Sequence, residues 1–241
     1  ASIPLPIDLF GDRRNSGGED LQDRAILADV AADVAAHPLP ALPTSPGGDA
    51  IATAQSAYAA WSGLGLDGRA ERLERLADLL EANRHALMAT LVKEARKTLP
   101  DALGEVREAV DFCRYYAQQA RTGLQPVDLP GPTGERNVLR YAGRGVWVCI
   151  APWNFPLAIF LGQIAAALVT GNTVVAKPAP QTPRIAAQVL ALAREAGIPE
   201  NALVLAVGGP EVGAALLANP GIAGVAFTGS TGTAKTIARA L

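Results

Sequence analysis

The chain is poor in the residues that usually build metal, disulfide and acid–base sites. Its 241 residues include two cysteines and two histidines. There is no secretory signal, so both thiols are expected to stay free in a reducing cytoplasm. His37 precedes Pro38 in a chain break and His85 lies beside Arg84 in a charged helix, so neither has a sequence-local partner, and no metal site is expected. No Lys/Arg cluster is longer than Arg13-Arg14 and the net charge is -2, which argues against a nucleic-acid partner. Long apolar runs are missing too. The longest, Pro156 to Thr170, holds Gly162 and Gln163 and falls short of the roughly 20 residues that cross a bilayer, so it reads as a buried helix. The sequence has no internal repeat or low-complexity segment, and it begins at Ala1 without a Met, as a piece excised from a longer polypeptide would.

What is present is enough apolar material for a full core: 49% of residues are hydrophobic, sufficient for one large domain or two modest ones. Three regions are expected. Residues 1–48 form an arm or linker with one helix: 1–18 is rich in Pro, Gly and Asp without sustained period, 19–36 is helical, and Pro38-Leu-Pro40 and Pro43 to Gly48 break the chain again. Residues 49–136 form a helical layer. Asp49 caps a helix through Trp61, and Asp67 caps a second in which Leu73, Leu76, Leu80, Leu87 and Leu91 share one face. A third helix, 101–120, buries Leu103, Val106, Val110 and Cys113. After the loop 123–134, Val138 to Tyr141 and Gly145 to Ile150 read as a hairpin or bent strand pair joined by Ala142-Gly-Arg.

From residue 137 onward strands and helices alternate. Apolar runs at 145–150, 173–176, 202–207 and 222–227 are each followed by a helical stretch, which predicts parallel βαβ units. The fold class is therefore α/β, a helical N-terminal layer followed by a Rossmann-like parallel sheet.

Candidate chemistry collects at the predicted strand exits. Asn154 stands in Ala151-Pro-Trp-Asn-Phe-Pro156, where prolines restrain the backbone. A side-chain amide held there suits a developing oxyanion, although an Asn also simply satisfies a tight turn. Lys177 ends the strand that Pro178 cuts off. The carboxyl end of a parallel strand is where α/β sheets bind ligands, and a Lys there can donate to ribose hydroxyls or merely be solvated. Gly229-Ser-Thr-Gly232 does not match the GxGxxG fingerprint. It opens a helix near Ser230, whose hydroxyl and free N–H groups can face a pyrophosphate or serve only as a cap. Cys113 on an apolar helix stripe and Cys149 inside a strand both read as core, since nothing nearby would lower a thiol pKa.

Taken together, Ala-Pro-Trp-Asn-Phe-Pro at 151–156, Val-Val-Ala-Lys-Pro at 174–178 and Phe-Thr-Gly-Ser-Thr at 227–231 resemble, in order and spacing, the cofactor half of the aldehyde dehydrogenase superfamily, from about Asp49 to Leu241. The resemblance implies a nicotinamide cofactor held by Ile150, Ala151, Pro152, Trp153, Lys177, Gly208 or Gly209, Gly229 and Ser230. Pro152 and Trp153 would lie along the phosphates and Lys177 on the adenosine ribose. It implies Asn154 as the oxyanion donor and Phe155 in the aldehyde channel. The segment 207–213 is one residue shorter than the usual pattern, which leaves the choice between the two glycines open. Pro180 stands where the family commonly has a ribose-binding Glu. NAD is the implied cofactor, and the missing carboxylate leaves NADP open.

The segments Ile3-Pro-Leu-Pro-Ile-Asp8, Arg13-Arg-Asn-Ser-Gly17, 108–117 and 149–160 resemble the proline utilization A branch, bifunctional enzymes whose second half oxidises L-glutamate γ-semialdehyde. FAD would then belong to the proline dehydrogenase half, which this chain does not contain. In the family the catalytic Cys and the water-activating Glu follow the Phe-Thr-Gly-Ser-Thr turn. The resemblance therefore implies that the chain stops short of both, is inactive alone, and leaves a strand edge uncovered. It also implies a full-length homo-oligomer that pairs partly through 137–150. A nucleotide-binding or assembly module without chemistry, or a dehydrogenase for another aldehyde, are the competing readings.

Overall fold

The computed structural model describes residues 3–44 and 49–241. The end of the expected break at Pro43 to Gly48 lies outside those residues, as do Ala1 and Ser2.

Five helices build the N-terminal layer: α1 (Arg24–Ala36), α2 (Ala50–Gly63), α3 (Gly65–Ala82), α4 (Arg84–Ala95) and α5 (Leu99–Gly123). Asp49 caps α2 as expected, accepting from the N–H groups of Ile51 and Ala52. Three expectations are corrected here. Helix α1 starts at Arg24 rather than Glu19, because Asp23 caps it and Glu19 instead pairs with Arg84 and His85. Asp67 is not a cap: α3 starts two residues earlier, and Asp67 faces Arg121 from its first turn. The single helix expected to carry Leu73 through Leu91 is two helices. The Asn83 side chain and backbone N–H both donate to the Leu79 carbonyl, and this local bonding ends α3. All five leucines are still buried.

The arm is docked rather than loose. Ser16, 1% exposed, donates from its N–H and hydroxyl to Asp111, Gly17 N–H donates to Glu81, and Arg114 donates to the Asn15 carbonyl. Residues 15–17 are thereby fixed on α3 and α5.

A short antiparallel ribbon follows, β1 (Val127–Leu129) with β2 (Asn137–Leu139). The expected pairing of 138–141 with 145–150 does not form. β2 finds its partner inside the stretch expected to be loop, and Gly143 is pinned elsewhere, its carbonyl accepting from Tyr58.

The main sheet is parallel, ordered β5-β4-β3-β6, from β3 (Val146–Ile150), β4 (Thr173–Lys177), β5 (Leu203–Leu205) and β6 (Ile222–Phe227). Each strand is followed by a helix: α6 (Ala158–Val169), α7 (Pro183–Glu195), α8 (Pro210–Leu217) and α9 (Thr231–Ala240). This is the expected α/β architecture. One core joins α1–α5 to α6, α7 and one sheet face, with Trp61, Phe160 and Leu161 fully enclosed. A smaller one packs α2 against the other face through Ile51, Ala54, Val148 and Val175. Between β3 and β6 the register shifts after Val146, which pairs with Ile222, while Trp147 pairs with Gly224. A Cβ on Gly224 would lie 2.9 Å from the Trp147 indole, so the glycine makes room for the ring.

Candidate nucleotide site

The carboxyl ends of β3, β4, β5 and β6 all leave the sheet on one side. Ile150 pairs with Lys177 on one flank and Phe227 on the other, and Ala151 N–H donates to the Lys177 carbonyl. Above this edge lies a groove of about 760 Å³ walled by Ile150, Lys177, Pro180, Gln181, α8 and α9. A second cavity, about 630 Å³, runs along the outer edge of β5 and contains no strand exit to β3 or β6. The groove above the strand ends is where parallel sheets bind ligands.

Of the residues singled out from sequence, Ile150, Lys177 and Ser230 line this groove. Lys177 is 6% exposed, and its ammonium lies 3.4 Å from the Pro178 carbonyl. Burial pushes its pKa below the usual value, while the Glu211 carboxylate opposes that shift. Ser230 caps α9, its hydroxyl accepting from Thr233 N–H. Gly229 precedes it, exposed, where a Cβ would collide with the Phe227 ring. Gly208 takes φ +153 and Gly209 donates its N–H to Glu211; neither reaches the groove wall. Gln181, Gly213, Thr233 and Thr236 line the groove and were not picked out from sequence. Gln181 follows the β4 exit, Gly213 lies on α8, and Thr233 and Thr236 lie on α9, segments that only the fold brings round one groove. The helical period of α9, which returns Thr236 to the face of Thr233, was the available signal.

Ala151 is buried, Pro152 half-buried, and Trp153, Asn154 and Phe155 are exposed on the connection from β3 to α6. These five residues stand beside the groove without lining it. The Asn154 side-chain amide has no hydrogen-bond partner among the described residues, so both donors are open. Its bland reading, a side chain consumed by its own turn, is not what the fold shows.

The four helices that follow the strands differ at their N-termini. At α6 the Leu157 and Ala158 N–H groups donate to Glu105, at 3.0 and 3.3 Å. At α7 the Arg184 and Ile185 N–H groups donate to Glu94, at 2.9 and 3.0 Å. Helix α8 carries Glu211 in its first turn, its pKa lowered by its own N–H and that of Gly209. Helix α9 differs from all three: its cap is the neutral Ser230, its first turn holds no acidic residue, and among the described residues no carboxylate from another helix accepts from its N–H groups. An anion entering the groove therefore meets one uncompensated helix dipole, that of α9.

Neither thiol belongs to the site. Cys113 and Cys149 are fully enclosed, and burial pushes both up to about 12. No group of three or more His, Cys, Asp or Glu among the described residues is placed to hold a metal ion. No described helix is long and apolar enough to cross a membrane.

The parallel sheet with an anion-ready helix at its strand exits goes with a family match over most of the chain: the aldehyde dehydrogenase family aligns over residues 43–241, and the chain belongs to it. Within that family it is similar to the bifunctional protein PutA of Rhizobium meliloti, 44% identical over an alignment of 268 positions that covers 98% of this chain and 21% of that protein. It is also similar to the 1-pyrroline-5-carboxylate dehydrogenase of Geobacillus thermodenitrificans, 41% identical across 75% of this chain and 35% of the relative. A crystal structure of a Bradyrhizobium japonicum proline utilization A variant superposes with a TM-score of 0.94 at 52% identity, covering 99% of this chain and 25% of that one. The chain thus spans about a fifth of the length of the PutA relative.

Proposed function

We propose that the chain is the cofactor-binding part of an NAD-dependent dehydrogenase that oxidises L-glutamate γ-semialdehyde to L-glutamate in proline catabolism. The carrying observation is the α9 N-terminus, the one helix end at the strand exits that no carboxylate has neutralised, facing the groove that holds Lys177. NAD, when bound, would accept the hydride. The α9 N–H groups and Ser230 would bind its pyrophosphate beside Pro152 and Trp153, and Lys177 would donate to the adenosine ribose. Ile150, Ala151, Gly208, Gly209 and Gly229 would supply close backbone, and Phe155 would flank the aldehyde. Asn154, with both amide hydrogens unengaged, would donate to the aldehyde oxygen as it gains charge, a contact typically worth about 100- to 1000-fold in rate.

On this reading residues 1–48 are an arm, 49–136 a helical support and 137–241 the nucleotide-binding units. Pro180 leaves the ribose without a carboxylate, so NADP is admitted beside NAD. The exposed apolar ribbon of Val127, Leu129 and Leu139 supports pairing of subunits in a full-length enzyme of the cytoplasm. With both thiols buried and protonated, residues 1–241 bind cofactor without turning over aldehyde.

The test is calorimetric titration of the chain with NAD. Saturable binding that weakens on Lys177→Ala and on Ser230→Ala is expected. Heat that is absent, or unchanged by both substitutions, would overturn the reading.

A further inference from the structure

Asn154 is exposed on a connection between β3 and α6 that makes few bonds of its own, yet an oxyanion donor has to be held still. What fixes this connection comes from far away in sequence. Glu105, near the start of α5 and 1% exposed, accepts with one carboxylate oxygen from the N–H groups of Leu157 and Ala158, 52 and 53 residues away. Helix α6 has no capping side chain of its own, since Leu157 stands at its N-cap. Glu105 supplies the missing cap three residues beyond Asn154.

The other oxygen of Glu105 faces Lys97, whose Nζ lies 2.9 Å away but out of line for a hydrogen bond. The same ammonium stands 4.2 Å over the centroid of the Phe155 ring. Lys97 therefore touches the residue after Asn154 while neutralising the carboxylate that caps the segment's end. Its placement is bought with strain. Arg96, the residue before it, is the one non-glycine at positive φ (59) among the described residues, and that left-handed turn lets the Lys97 N–H reach back to the Leu91 carbonyl. A buried charge pair, a remote cap, a cation over an aromatic ring and a strained turn all converge on one short loop.

We propose that Glu105 and Lys97 are positioning residues for Asn154 and Phe155: a buried ion pair from the helical layer that sets the angle at which the oxyanion donor leaves the sheet. The catalytic meaning rests on the function proposed above; the mechanical meaning does not. Neither residue touches substrate or cofactor. Without Glu105 the Leu157 and Ala158 N–H groups lose their acceptor, and the connection that carries Asn154 loses its anchor at the α6 end. A displacement on the order of 1 Å at a reacting group costs about 100-fold in rate.

Two measurements separate the layers of this claim. In the 241-residue chain, amide hydrogen exchange at Leu157 and Ala158 is expected to speed up by about tenfold or more in Glu105→Ala, with the amides of β4 and α7 unchanged. Glu105→Gln, which keeps an oxygen acceptor, should restore most of the protection. Lys97→Met should leave those two amides slow but speed up flipping of the Phe155 ring in NMR spectra. Should Glu105→Ala fail to fold, Glu105→Gln and Lys97→Met carry the test: ring flipping and loop exchange both at wild-type rates would overturn the positioning role. In the full-length enzyme, Glu105→Ala should lower kcat by about tenfold to 100-fold with a smaller change in KM, and Glu105→Gln should recover most of it. Fast exchange with unaltered kcat overturns the catalytic meaning alone. If no variant or wild type oxidises the aldehyde, the function proposed above fails while the exchange result still decides the mechanics.

Discussion

Glu94 does for α7 what Glu105 does for α6: each is a nearly fully buried carboxylate from the helical layer that accepts two consecutive N–H groups at the start of a helix flanking the sheet. The far ends are matched by cations. Arg69 donates to the Val169 carbonyl behind α6, and Arg72 and Arg75 donate to the carbonyls of Gly197 and Ala196 behind α7. Both dipoles are thus compensated at both ends by side chains from other helices.

Removing Glu94 should therefore loosen α7 as a unit. Glu94→Ala deletes two charge-assisted bonds at a site only 3% exposed and is expected to lower unfolding free energy by about 2–4 kcal/mol, read from urea melts. Glu94→Gln should cost less than half of that. Equal losses for the two variants would show that capping is not the reason.

His85 ties the arm and α1 to α4, its two ring nitrogens 2.8 Å from Glu19 and 2.9 Å from Asp33. Burial alone would lower its pKa, but the hydrogen bonds to Glu19 and Asp33, with their charges, raise it above the ordinary 6.5. A raised folded-state value means stability that is present in full below about pH 6.5 and is lost as pH rises through that folded value. The gap in urea midpoint between the wild type and His85→Ala should shrink across that window. A gap that stays constant from acid to alkaline pH would sink the assignment.

Both thiols should be silent in the native chain. With Cys113 and Cys149 pushed up to about 12 and fully enclosed, a thiol reagent at neutral pH should react only after denaturant is added. Rapid modification of the folded protein, or aldehyde turnover by residues 1–241 that disappears in Cys149→Ala, would contradict the account of the site.

On the proposed function, residue 180 bears on cofactor choice. Introducing a carboxylate by Pro180→Glu, on the exposed turn beside the groove, should weaken NADP binding by about tenfold relative to NAD through repulsion of the 2'-phosphate. Fluorescence titration with both nucleotides checks it. An unchanged ratio would mean that residue 180 does not face the ribose.

What could be seen in the sequence was whatever a residue decides with its neighbours. Asp49 and Ser230 announce their helices because a cap acts two or three residues ahead. The four parallel strands announce themselves by apolar runs closed by helices. Asn83 is silent in the sequence because a single amide turned back on Leu79 divides an otherwise unbroken leucine stripe. The β1–β2 pairing is not legible because alternation does not name a partner. Glu94, Glu105 and Ser16 gave no signal at all: each bonds a segment 52 to 95 residues distant, and only the fold brings the two together. At the candidate site the strand-exit motifs were legible, while Gln181, Gly213 and Thr236 depended on how the β4 exit, α8 and α9 surround one groove.

The indole of Trp147 over Gly224 acts as a key in a notched strand. Sliding β6 by one residue would drive the Cβ of Ala223 or Val225 into the ring, so β6 joins the sheet at one setting and no other. Phe227 then has to arrive opposite Ile150, whose carbonyl takes the N–H of the next residue, Thr228, and the start of α9 is delivered to the groove by a contact earlier in the strand. Loss of that notch would displace the start of α9, and with it the proposed nucleotide site, without altering a single residue of that site.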